Sequence, residues 1–131
     1  MYYYDMENYD ANNSACSEAV KSFLNGWGYQ NRYVYGNTVG VYGTGCDAVT
    51  WPAVPNVPDD VWIADWNGDP DVWGLYCMPD PIWCCNQRLH QYAGNVWENY
   101  AGVWLYIDRD CANGLITPHG HGFADGACTT E

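Results

Sequence analysis

Four apolar residues in a row, Val61-Trp62-Ile63-Ala64, run without a polar break into Asp65-Trp66-Asn67-Gly68. A strand with one wet face alternates polar and apolar residues. An unbroken run rich in Val, Ile and Trp is a strand covered on both sides, as in the parallel sheet of an α/β fold. The rest of the chain supplies partners for such a strand. Cys16, Ala19, Val20, Phe23, Leu24 and Trp27 recur at helical spacing behind Asn12, Asn13 and Ser14, which offer an N-cap, so a helix is predicted near residues 14–28. Strands are predicted at Tyr2 to Glu7, Thr38 to Tyr42, Arg88 to Tyr92 and Val103 to Ile107. Pro52, Pro55 and Pro58 make residues 46–59 a loop. Residues 67–86, with three prolines and three cysteines, form an ordered, cross-linked loop. Trp97-Glu98-Asn99-Tyr100 reads as a surface loop with a solvated Glu98. The glycine-rich stretch 112–131 is a tail behind a domain at 1–111.

Seven cysteines occur, at positions 16, 46, 77, 84, 85, 111 and 128. No C-x-x-C pair exists, so the spacing speaks for disulfides in an oxidising compartment rather than for zinc. At least two intramolecular bridges are expected, with connectivity open and one cysteine left over. His119-Gly120-His121 with Asp125 reads as a polar tail rather than a metal site, and no cofactor is implied. Residues 1–10 do not have the pattern of a signal peptide, and no apolar run approaches a membrane span. The expected location is extracellular, with the targeting segment removed or lying upstream.

The net charge is −12, and the positive side chains are Lys21, Arg32, Arg88 and Arg109. Nucleic acid and anionic membranes both need basic surface, so neither is an expected partner. Eight Trp and twelve Tyr against two Phe give many flat rings with polar tips, suited equally to cores, sugar clefts and interfaces.

Polar residues gather at the C-terminal ends of the expected strands: Asp5 and Glu7, Tyr42, Asp65, Gln91 and Asp108. In parallel α/β barrels that end carries the active site. Asp5-Met6-Glu7 is a D-x-E on a strand, so both carboxylates project from one face. Glycoside hydrolysis uses such a pair, one carboxyl donating a proton and one stabilising or attacking the sugar cation. Crowding of like charges should raise the pKa of one acid in a shared cleft.

The series YYYDMENY at 2–9, VGVY at 39–42, VWIADW at 61–66, HQY at 90–92 and GVWLYIDRD at 102–110 resembles the later strands of family 25 glycoside hydrolases, the lysozyme-like muramidases. It is also similar to their secreted actinobacterial relatives, glycoside-hydrolase-like domains with a Cys-bearing helix and a Trp-Asn-Gly turn. The resemblance spans about residues 2–110. It implies an α/β fold, a partial TIM-like (β/α) barrel of about five mostly parallel strands with few helices, stabilised by disulfides. It implies Glu7 as general acid and Asp5 as nucleophile or cation stabiliser. Asp65, Gln91, Tyr92 and Asp108 then line the sugar cleft, and Tyr42, Trp62 and Trp66 are stacking candidates, with burial in the core an equal reading for Trp62.

The expected function is a secreted domain acting on or binding cell-wall polysaccharide, peptidoglycan-like, with weak or no catalysis. The family's eight-strand barrel exceeds the five strands found here, so a missing N-terminal half or a homo-oligomer would complete it. The alternative is a non-enzymatic extracellular subunit that self-assembles through its aromatic, disulfide-rich surface.

Overall fold

The computed structural model describes residues 1–114. Five strands form one open sheet, curled like half a barrel, in the order β1-β2-β3-β4-β5. They are β1 Tyr2–Asp5, β2 Val39–Thr44, β3 Asp60–Ala64, β4 Gln87–Tyr100 and β5 Val103–Gly114. Helix α1, Ser14–Tyr29, links β1 to β2 and runs on into a wider helical turn, Gln30–Val34. A one-turn helix α2, Gly45–Ala48, and a 3-10 turn, Trp51–Ala53, lie between β2 and β3.

α1 begins where the sequence expects it. Asn13 caps it, its Oδ1 accepting from the amides of Ala15 and Cys16 at 3.1 and 3.2 Å. Leu24 is buried, and Val20 and Trp27 pack with it against Val41, Trp51, Val54, Val61 and Ile63. The helix end is held to the proline loop. Asn25 Oδ1 accepts from the backbone amide and the side chain of Asn56, at 3.2 and 2.8 Å. Gly28 permits this approach, since a Cβ there would lie 2.7 Å from the Asn56 carbonyl oxygen.

β1 to β4 pair in parallel. β5 departs from the expected parallel pairing and runs antiparallel to β4. Its connection is the reason. Only Ala101 and Gly102 separate the strands, both at positive φ (51° and 90°), and a two-residue turn cannot carry a parallel crossover. The residues expected as a loop, Trp97 to Tyr100, are the end of β4. Glu98 is not simply solvated: it pairs with Arg109 and accepts from the Tyr100 hydroxyl.

α1 covers only part of the sheet's outer face. Over β3 and β4 the same face is covered by the long loop 65–86, which contributes Leu75, Met78 and Trp83 to the core. The Cys46–Cys77 disulfide ties this loop to α2. Among the described residues Cys16, Cys84 and Cys85 are thiols, and Cys111 is not one of them.

Arg88, almost fully buried on β4, organises the loop from beneath. Its guanidinium donates to the carbonyls of Val72 (2.9 Å), Pro79 (2.8 Å) and Asp80 (2.9 Å), and Nε donates to Ile82 (3.2 Å). The Trp73 ring lies over it, 4.7 Å from its centroid. Two positions on, the buried His90 ring sits between two loop carbonyls, with Asp65 O 2.7 Å from Nε2 and Asp71 O at Nδ1.

Replacing Arg88 with Met leaves four loop carbonyls without their shared donor, the buried Val72 carbonyl among them. The expected loss is about 3–5 kcal/mol of unfolding free energy, measured by urea denaturation. A loss below about 1 kcal/mol would mean that the disulfide and apolar contacts hold the loop without the guanidinium.

Candidate functional site

The register assigns the side chains to two faces. Tyr4, Val41, Val61, Arg88 and His90 share the face under α1 and the loop. Tyr3, Asp5, Gly40, Tyr42, Asp60, Trp62, Leu89, Gln91 and Asp110 share the other, concave face. At the N-terminal end of this face the Tyr3 ring lies over Gly40, where a Cβ would be 2.2 Å from it, and its hydroxyl donates to buried Asp60 at 3.0 Å. Burial pushes Asp60 up to about 7, with the Tyr3 hydrogen bond opposing.

The C-terminal end of the same face carries the candidate site. Asp5 is the register partner of Tyr42, and the Met6 amide donates to the Tyr42 carbonyl at 3.0 Å, which carries the ladder on toward Glu7. The Tyr42 hydroxyl donates to Gln91 Oε1 at 3.1 Å, and Trp66 Nε1 donates to the same oxygen at 2.8 Å. Gln91 Nε2 in turn donates to Asp108 Oδ2 at 3.2 Å, and the Asn95 amide fixes Asp108 Oδ1 at 2.8 Å. The Trp66 indole lies directly on Gly94, where a Cβ would come within 2.2 Å of the ring. Trp62 meets Tyr42 edge-on, centroids 5.2 Å apart, and donates from Nε1 to Asp110 at 2.7 Å.

Electrostatics tie these groups together. The Tyr42 phenol is raised above its usual range by burial first, then by the charges of Asp5, Glu7, Asp108 and Asp110. In a flat sheet β5 would lie about 14 Å from β2. The curl brings acids of both β1 and β5 into reach of one hydroxyl. Burial also raises Asp110, opposed by its Trp62 hydrogen bond, with Asp108 adding to the rise.

The structure brings together Asp5, Glu7, Tyr42, Trp62, Trp66, Gln91 and Asp108. Asp65 is turned elsewhere: Oδ2 accepts from the Tyr76 amide at 2.8 Å and from Asn67 at 3.3 Å, so its carboxylate shapes the loop. Tyr92 sits at a bulge in β4, edge-on to His90, near Arg109 and Tyr100. Asp110 joins the site without having been singled out. Its signal was the Asp108-Arg109-Asp110 alternation, a second pair of acids two residues apart on a strand. Among the described residues no group of three or more His, Cys, Asp or Glu is placed to hold a metal ion. His119, His121 and Asp125 lie outside the described residues.

A family model for the Rv2525c-like, glycoside hydrolase-like domain matches residues 1–112, all four parallel strands and most of β5. The chain belongs to this family. No curated protein and no solved structure matches the chain. The Rv2525c-like, glycoside hydrolase-like match takes in every member of the Tyr42 cluster, from Asp5 to Asp110. It agrees with a carbohydrate-related function.

The convergence has a direct readout. With 13C-labelled tyrosine, the Tyr42 resonance is expected to titrate above the ordinary phenol pKa of about 10. It should move back toward that value in the Asp5→Asn/Glu7→Gln double variant. A Tyr42 titration indifferent to both substitutions means that the D-x-E pair is not beside it.

Proposed function

We propose that this chain is a secreted, lysozyme-like domain that holds cell-wall polysaccharide on its concave face. Glu7 is the general acid and Asp5 the nucleophile or cation stabiliser. The observation that carries the reading is the set of four carboxylates, Asp5, Glu7, Asp108 and Asp110, around the Tyr42 hydroxyl, edged by Trp62 and Trp66. A sugar ring needs this mixture: a flat apolar surface under the ring and fixed acceptors for its hydroxyls. Gln91 orients Tyr42, Trp66 and Asp108 through three hydrogen bonds and is the positioning residue of the site. Asp65 and Tyr92, carried over from the muramidase resemblance, act from outside this cluster.

The Cys46–Cys77 bridge supports an extracellular location. Among the described residues no helix is long and apolar enough to cross a membrane. Turnover is slow or absent, because bond cleavage needs the carboxyls at a set separation, and a displacement of about 1 Å can cost roughly a hundredfold. Asp5 and Glu7 are both exposed on a sheet that curls only half-way round, with no described strand facing them. Binding tolerates this geometry. A second reading, a self-assembling structural subunit, rests on the outer edges of β1 and β5, which no other strand pairs among the described residues and which can template strand pairing.

Sedimentation with purified bacterial walls and a turbidity assay separate the readings. Expected is wall binding that survives Glu7→Gln within about twofold, and lysis that is weak or undetectable in wild type and absent in the variant. Wild-type protein that neither binds nor clears walls, yet forms a stable oligomer, would establish the structural reading instead.

A further inference from the structure

The β4–β5 hairpin extends beyond the parallel strands, and its distal part is exposed on both sides. On β5, Trp104, Tyr106, Asp108 and Asp110 alternate onto one side, the concave face of the sheet. Two bulges in β4, between Gln91 and Val96, offset each other and place Trp97 opposite Tyr106 on that side, with ring centroids 5.0 Å apart. Trp97, Trp104 and Tyr106 are 63%, 62% and 55% exposed. The aromatic strip therefore starts at Asp108, inside the Tyr42 cluster, and leads away from it. Trp104 lies four residues along, about 13 Å of strand.

Charge narrows what this strip can take. The chain has four basic side chains besides its histidines, and none faces it. Lys21 and Arg32 belong to α1 and its extension, and Arg88 is buried under the loop. Arg109 points to the opposite side of the hairpin, where it pairs with Glu98. A ligand bearing carboxylates, sulfates or phosphates would meet Asp108 and Asp110 with no cation to offset them. Rings spaced along one side of a two-stranded hairpin suit an extended ligand with repeated flat apolar faces.

We propose that Trp97, Trp104 and Tyr106 extend the carboxylate site into a platform for an extended, linear chain of uncharged sugars. This rests on the glycan reading of the site and names its substrate class. Titration calorimetry on the intact chain tests it, using the trimer and the hexamer of N-acetylglucosamine and a hexamer of a uronic acid. The hexamer is expected to bind about tenfold tighter than the trimer, the increment of one added aromatic contact. Trp104→Ala should remove that increment and leave trimer affinity unchanged, whereas Trp104→Tyr keeps most of it. The uronic acid hexamer should bind neither form.

Equal hexamer affinity in wild type and Trp104→Ala, or a uronic acid hexamer that binds as well as the uncharged one, overturns the platform while leaving the carboxylate site standing. Failure of wild type to bind either uncharged oligomer removes the glycan reading and the platform together. If sedimentation velocity shows Trp104→Ala turning a dimer into a monomer with hexamer affinity unchanged, the strip is a self-association surface and the proposal is wrong.

Discussion

Arg88 is a permanently charged group placed almost out of reach of water, and the covering of half the sheet depends on how it is satisfied. A guanidinium has five N–H donors and no way to shed its charge. Here carbonyls at Val72, Pro79, Asp80 and Ile82 converge on it, so one side chain fixes four separate points of a loop with no helix or strand of its own. His90 adds a second anchor, its ring set between the carbonyls of Asp65 and Asp71. Both lie on the outer face of β4. Strand alternation then sends Leu89 and Gln91 to the concave face. The same four residues thus clamp the loop on one side and present the hub of the candidate site on the other. The clamp reaches the site directly, since the Asp65 carbonyl held by His90 immediately precedes Trp66.

The first half of the fold was legible because its signals are local. The helical stripe of α1, the apolar run of β3 and the D-x-E at the end of β1 each depend on spacing within a few residues. The hairpin was not legible. Its turn is Ala101-Gly102 rather than the Asn-Gly or Asp-Gly pair that marks such turns. Two bulges break the alternation of β4 just where a strand would be read. Trp97 to Tyr100 therefore looked like loop. The antiparallel course of β5 followed from the same missed turn.

The site was legible as a list and not as a geometry. Asp5, Tyr42, Gln91 and Asp108 come together because they share one face of the curled sheet, with Glu7 two residues beyond the end of β1. Asp65 also ends a strand, but the amide of Tyr76, eleven residues away, captures its carboxylate. No local pattern announces a loop that returns to its own origin. The role of His90, the first residue of the HQY stretch, is set by two carbonyls that only the folded loop supplies. Asp110 could have been found from alternation with Asp108.

The account rests on the concave face being the one that meets carbohydrate, and the tryptophans report on both faces. Trp62 and Trp66 donate their indole N–H groups within the site, while Trp51 and Trp83 are buried on the helix and loop side. The most direct test is the set of 15N indole resonances of the labelled protein, followed as the N-acetylglucosamine hexamer is added. The Trp62 and Trp66 signals should shift progressively, with those of Trp51 and Trp83 unmoved. Shifts confined to Trp51 and Trp83, or none at saturating sugar, would contradict it.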